Sequence, residues 1–227
     1  MPLSKLPTIV FNRGGTGNYG LIPMGQYFTR IARMANWGYI IVGSYYPGNR
    51  FSQGRDERGG VSDLKSVLML YSLIKHLDCA NEKSVGMYGE SRGGMMTYLS
   101  MKHVSWVKAA VTVGGLTNLR RSLVDRPEMK KIFEESFGNT SSGITDRSAV
   151  DWIEQSDSKA PLCILHGGAD VQVNPLDAIE LAGKLESSSH PYSLHVIKGA
   201  NHMLSNCIHE RDSIIKDWFD THLISNE

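Results

Sequence analysis

Residues 85–100 read VGMYGESRGGMMTYLS. An apolar run enters a pair of glycines that bracket Ser91, and a stretch of helical periodicity follows, with Met95, Met96 and Leu99 on one face. Taken alone, the G-x-S-x-G pattern in GESRGG has two readings. It is an ordinary glycine turn between a strand and a helix, or a strained turn that lifts the serine hydroxyl above a sheet at a helix N-terminus. Glycines on both sides permit the second without steric clash. The surrounding chain has to choose.

Outward from this stretch, short β-branched runs alternate with helix-like periodicities. TIVF (8–11) reads as a first strand, and a helix is expected at about 24–36. Tyr27, Phe28, Ile31 and Met34 would share a face of that helix, with Gly38 just past its end. YIIVGSYY (39–46) is a second strand. The loop PGNRFSQGRDERGG leads to a helix from Ser62 to His76, striped by Leu64, Val67, Leu68, Tyr71 and Ile74. SVGMYG (84–89), VKAAVTVGG (107–115), LCILHGG (162–168) and YSLHVIKG (192–199) are four further strands. Helices follow Ser91 and Asn174-Pro175, an N-cap with proline at the first helical position. A last helix over 207–223 carries Ile208, Ile214, Ile215, Trp218 and Phe219.

This order predicts an α/β domain spanning 1–227, a mostly parallel, doubly wound sheet of about six strands with helices on both faces. Residues 116–161 are too long for a simple crossover and hold two helix-like segments, LRRSLVDRPEMKKIFEESFG and SAVDWIEQSD. They read as a helical cap inserted into that domain.

Bulk composition narrows the function classes. With 227 residues, 41% apolar and 21% charged, the chain can bury a sizeable core and is not of disordered type. A net charge of +1 gives no electrostatic footprint for nucleic acid or an anionic membrane. Arg120-Arg121 and Lys130-Lys131 read as solvated helix faces. Cys79, Cys163 and Cys207 are too few and scattered for a disulfide framework, and read as small buried hydrophobes in a reducing compartment. No run approaches the roughly 18 apolar residues of a membrane span. MPLSKLPTIVFN lacks the regions of a signal peptide, so the cytoplasm is the expected location.

In an open α/β sheet the ligand crevice lies outside the carboxyl ends of the strands. Ser91 follows the third strand, Asp170 the fifth and His202 the sixth, in the Ser…Asp…His order of an α/β-hydrolase. A hydroxyl becomes a nucleophile when a base takes its proton, and imidazole does that near neutral pH. An aspartate then fixes the imidazole tautomer and stabilises the imidazolium. Asp177 is the rival acid, but its place on a helix face suggests solvent. His195 lies inside a strand and reads as a packed or surface residue. His166 precedes turn glycines and reads as a loop-ordering residue or a substrate contact. A metal site of His166, Asp170, His202 and His209 would lack H-E-x-x-H or any closed ligand spacing. No metal or cofactor is implied. The oxyanion of an acyl-transfer intermediate would be held by the backbone N–H of Arg92 and by donors from Arg13-Gly14-Gly15, with Gly14 and Gly15 the expected sources. In that reading Arg92 matters for its N–H and not its charge, and Glu90 has no assigned role.

GESRGG, HGGADVQVNP and GANH, together with SYYPGNRFSQGRDERGGVSDLKSVLMLYSLI and its Asp63, resemble the catalytic domain of the prolyl oligopeptidase family. Nearly the whole chain takes part, from Thr8 to Leu223. The resemblance implies an α/β-hydrolase fold and a serine hydrolase acting through an acyl-enzyme on peptides or small esters. It implies Ser91, Asp170 and His202 as nucleophile, acid and base. Three features depart from the family pattern. No β-propeller is expected within these 227 residues. Arg13 stands where several members place an oxyanion-donating tyrosine. Two strands that usually precede the first are missing, which leaves 39–46 as an apolar edge that another subunit is expected to cover, unless the natural protein is longer.

The expected partner is therefore a small-molecule or peptide substrate, with no nucleic acid or membrane. Arg13, Trp152 and His166 are candidates for the substrate pocket, and the cap, with its arginines at 120, 121 and 126, would shape it. Peptidase and carboxylesterase remain open as variants. A binding protein that keeps the hydrolase fold without catalysis is the alternative of another class.

Overall fold

The computed structural model describes residues 5–16, 30–49, 52–137 and 141–224. Six strands form one sheet: β1 (Leu6–Asn12), β2 (Ile40–Gly43), β3 (Ala80–Glu90), β4 (Val107–Val113), β5 (Leu162–Gly167) and β6 (Tyr192–Ile197). Their order is β2-β1-β3-β4-β5-β6, and every neighbouring pair is parallel. The helices are α1 (Ala32–Asn36), α2 (Val61–Leu68), α3 (Leu70–Lys75), α4 (Arg92–His103), α5 (Leu119–Asp125), α6 (Met129–Phe137), α7 (Ser141–Arg147), α8 (Pro175–Ser187) and α9 (Ile208–Leu223).

The period-two geometry of strands splits the apolar residues between two cores. Val10, Met87, Ala110, Leu162 and Ile164 point to one face, where Ile74, Met96, Leu99, Leu181 and Leu185 cover them from α3, α4 and α8. Ile9, Phe11, Tyr88, Val111, Cys163 and Leu165 point to the other, where Met34 of α1 and Ile215, Phe219 and Leu223 of α9 close over them. A sheet buried on both faces explains why its strands read as continuous apolar runs.

Several expectations are refined. All strand pairs are parallel, not merely most. Of the helix expected at 24–36, residues 24–29, with Tyr27 and Phe28, lie outside the described residues, and α1 covers the remainder. The helix expected from Ser62 to His76 is broken at Met69, where the Ser72 N–H reaches back only three residues to the Met69 carbonyl. Strand β2 is shorter than YIIVGSYY because Tyr46 leaves the sheet, is fully buried, and donates its hydroxyl to the Arg13 carbonyl at 3.0 Å. At the edge of the sheet, Ile40 to Val42 are half-buried. Asn174 caps α8 as expected, accepting the Leu176 N–H at 3.0 Å. Cys79 is exposed, unlike the buried Cys163, because it sits in the turn before β3 and not in a strand.

Residues 116–161 are helical as expected, with α5, α6 and α7 followed by two short 3-10 turns, Ala149–Asp151 and Ile153–Gln155. The segment is sewn into the domain. Phe133, Val150, Trp152 and Ile153 join the first core, and Arg147 donates to the carbonyls of Arg58 and Glu57.

Two glycines of similar composition should respond oppositely to alanine. A Cβ at Gly93 would lie 1.9 Å from the Asn12 carbonyl oxygen, whereas one at Gly183, exposed in α8, would meet nothing within 4 Å. In urea unfolding, Gly93→Ala is expected to lose about 1–3 kcal/mol or more. Gly183→Ala is expected to gain about 0.5–1 kcal/mol.

Candidate active site

Strand β3 ends at Glu90 and α4 begins at Arg92, so a single residue, Ser91, must reverse the chain. It does so at φ 54, ψ −117, a conformation that costs a non-glycine residue about 1–3 kcal/mol. The surroundings enforce it. The Ser91 N–H is held by the Val113 carbonyl at 2.9 Å, while the Ser91 carbonyl accepts the N–H of Gly94 at 2.9 Å and of Leu116 at 3.3 Å. Gly89 and Gly93 are required by contact: a Cβ on Gly89 would lie 2.2 Å from the Gly93 carbonyl oxygen. Of the two readings of GESRGG, the strained elbow is the observed one.

Glu90, left without a role by the sequence, is buried beneath the elbow. It accepts the Tyr88 hydroxyl at 2.8 Å and pairs with Arg30, which fastens the segment before α1 to the end of β3.

The loop after β1 lies against the elbow. A Cβ on Gly14 would be 2.9 Å from the Glu90 carbonyl oxygen and 3.3 Å from Ser91 Cβ, so only glycine lets this backbone come so near. Two guanidinium groups fix the loop from behind. Arg13 Nη1 donates to the Gly14 carbonyl at 3.0 Å and its Nη2 to Asn49 at 2.6 Å. Arg92 Nη1 donates to the Gly15 carbonyl at 3.2 Å. In a trans peptide the N–H points opposite to the carbonyl, so holding these two oxygens orients the N–H groups of Gly15 and Thr16 away from the arginines.

The charge of Arg92 therefore matters, which corrects the expectation that only its N–H would. Its side chain is 4% exposed and grips Asp56 through both Nη atoms, at 2.9 and 2.5 Å, and Asp63 at 2.7 Å. It also lies over the Tyr46 ring at 4.4 Å. Asp63 is fully buried. Burial pushes its carboxyl above the ordinary value, against the pull of the Gly59 N–H and of Arg92.

Asp170 and His202 meet because the β5–β6 ladder continues past the strands. The N–H of Gly168 reaches the Ile197 carbonyl at 2.8 Å, and that of Ala169 reaches Ala200 at 2.9 Å. Gly167 permits this approach, since a Cβ there would be 2.3 Å from the Asn201 carbonyl oxygen. Asp170 Oδ2 accepts from His202 Nδ1 at 2.7 Å, and Oδ1 accepts the N–H groups of Gln172 and Val173 at 2.8 and 3.0 Å. Burial alone would raise this carboxyl. The donors from His166 and His202 and the Val173 N–H outweigh it and hold Asp170 well below the usual carboxylate range. The imidazole of His202 backs onto Gly114, where a Cβ would stand 2.9 Å from Nδ1. Gly114 follows Val113, whose carbonyl holds the Ser91 N–H, so the histidine loop and the elbow share one strand end. Among the described residues, the Ser91 hydroxyl makes no hydrogen bond to His202; such contacts are often long before substrate binds.

The three residues expected to line a pocket lie inside the molecule. Arg13 is buried under the Gly14–Gly15 loop, and Trp152 packs in the first core with its indole N–H on the Asp146 carbonyl. His166 is fully buried behind Asp170, with Nε2 3.1 Å from Oδ2. Asp177, expected in solvent, is also buried. Burial pushes its carboxyl up to about 6 although Arg121 donates to it at 2.6 Å. The pairs Arg120–Asp151 and Arg121–Glu180 show that these arginines are engaged, not merely solvated. Around them is a shallow, open depression in the surface, lined by Asn118, Arg120, Arg121, Val124, Asn174 and Glu180 among others. Asn174 places it near the Asp170 loop.

A family model described as the prolyl oligopeptidase family matches residues 26–225. The chain belongs to the prolyl oligopeptidase family. Its sequence is 22% identical, over 187 residues, to the uncharacterized peptidase YtmA of Bacillus subtilis, covering 80% of this chain and 70% of that protein. The fold matches the acylaminoacyl peptidase of Pyrococcus horikoshii with a TM-score of 0.79 at 21% identity, covering 99% of this chain and 38% of that one. It also matches an acetyl ester-xyloside bifunctional hydrolase from Caldicellulosiruptor lactoaceticus, with a TM-score of 0.76 at 16% identity, covering 96% of this chain and 84% of that one. This member of the prolyl oligopeptidase family thus has the α/β-hydrolase fold, and spans little more than a third of the peptidase structure it matches.

Two outcomes follow for the site. Arg92→Met strands the buried Asp63 carboxylate and should cost about 3–5 kcal/mol in urea unfolding. Adding Asp63→Asn should restore part of that loss, so that the double variant is more stable than the additive sum. The second concerns acid. Because the folded Asp170 is depressed, its stabilisation is complete above its ordinary value of 3.8 and is lost as pH falls toward the folded value. Asp170→Asn should therefore lose less stability between pH 5 and pH 3 than the unsubstituted protein, as read by circular dichroism.

Proposed function

We propose that this protein is a serine hydrolase that acts through an acyl-enzyme on peptide or small ester substrates. Ser91 Oγ attacks the scissile carbonyl while His202 Nε2 takes its proton. Asp170 holds the Nδ1–H tautomer and stabilises the imidazolium as it forms. His202 then returns the proton to the leaving group, and water repeats the cycle to free the acid. The N–H of Arg92, the first residue of α4, has no partner within its own helix and donates to the developing oxyanion. A second donor comes from the Gly14–Gly15 loop. The observation that carries the reading is the 2.7 Å Asp170–His202 bond, formed beyond β5 and β6 and packed against the end of β4 that also braces the strained Ser91.

Peptidase action is the leading form, in keeping with the family. Carboxylesterase action is the second reading. It is favoured by the likeness to the C. lactoaceticus hydrolase, whose length this chain nearly spans. In either form the insertion at 116–161 shapes the substrate pocket. No helix among the described residues is long and apolar enough to cross a membrane, and action in the cytoplasm fits three free cysteines.

The test is labelling with a fluorophosphonate. The unsubstituted protein should be labelled and Ser91→Ala should not; labelling that survives the substitution removes Ser91 as nucleophile. Parallel assays of p-nitrophenyl esters and peptide anilides then separate the two forms. Turnover of both indicates a peptidase, and turnover of esters alone a carboxylesterase.

A further inference from the structure

Behind the proposed acid lies a second buried imidazole. His166, near the end of β5, is fully buried, and its Nε2 is 3.1 Å from Asp170 Oδ2 and 3.0 Å from the Val173 carbonyl. Both neighbours only accept hydrogen bonds, so Nε2 carries the proton. Asp170 accepts three hydrogen bonds, from His202 at Oδ2 and from the N–H groups of Gln172 and Val173 at Oδ1. The His166 N–H is bonded to the Val173 carbonyl and stands 3.1 Å from Oδ2, so it adds a fourth polar contact that limits how the carboxylate can turn.

The same assignment leaves His166 Nδ1 buried and without a hydrogen-bond partner.

We infer that His166 is a positioning residue for Asp170: its imidazole is packed against the carboxylate and holds the Val173 carbonyl, in the turn whose N–H groups grip Oδ1. The catalytic consequence rests on the proposal that Asp170 orients the general base.

The test compares His166→Phe and His166→Gln in the full chain. Glutamine can keep a donor near the Nε2 position, and phenylalanine cannot. With a p-nitrophenyl ester, His166→Phe should lower kcat about 10- to 100-fold with KM little changed, and His166→Gln should recover most of it. Equal losses in the phenylalanine and glutamine variants would overturn the inference. The downfield proton resonance of the His202–Asp170 hydrogen bond provides a readout independent of turnover. It should move in His166→Phe and return in His166→Gln, even if the unsubstituted protein hydrolyses nothing and the hydrolase proposal fails. A resonance unmoved in folded His166→Phe would sink the positioning role.

Discussion

The geometry around Ser91 depends on one buried cation. Arg92 begins α4, and its guanidinium binds Asp56, Asp63 and the Gly15 carbonyl in a space almost closed to water. One rigid fork thus ties the end of β3, the loop after β1 and the segment before α2 to each other. A buried ion pair adds little net stability, because desolvation offsets attraction, but breaking one is costly. Its value here is in fixing shape. Without that tie, the Gly15 carbonyl would lose its buried guanidinium donor, and the loop that lies against the strained Ser91 would be held less firmly.

The other half of the site rests on the sheet. Parallel strands deliver their carboxyl ends to one side. The β5–β6 ladder runs on for two residues, far enough to bring Asp170 and His202 into contact. Gly167 and Gly114 make this possible through the absence of a side chain, since each faces the His202 loop at a distance no Cβ could occupy. The elbow, the Gly14–Gly15 loop, Asp170 and His202 thus follow four strand ends of one rigid layer, and are not separate loops that must find each other.

Much of this was legible in the sequence. Strand and helix periodicities, together with the glycines around Ser91, are local signals, and they placed all six strands and the residues 91, 170 and 202 at strand ends. What escaped was the inside of the charged network. Arg92 meets Asp63 and Asp56 across separations of 29 and 36 residues, and Arg121 meets Asp177 across 56, so no local pattern reports them. For the same reason Arg13, Trp152 and His166 could be read as pocket residues when they pack inside, and Asp177 as solvated when it is buried. One signal was available: an aspartate in the first turn of a helix after a Gly-Gly pair, in a chain with an arginine next to the elbow serine, suggests a buried partner.

The account is tested most directly by a crystal structure of the protein after reaction with a small phosphonate. It predicts a covalent bond from Ser91 Oγ to phosphorus, with the phosphonyl oxygen accepting the N–H of Arg92 and an N–H of the Gly14–Gly15 loop. The Gly15 carbonyl should still rest on the Arg92 guanidinium. An adduct on another residue, or a phosphonyl oxygen turned to solvent with that loop displaced, would contradict it.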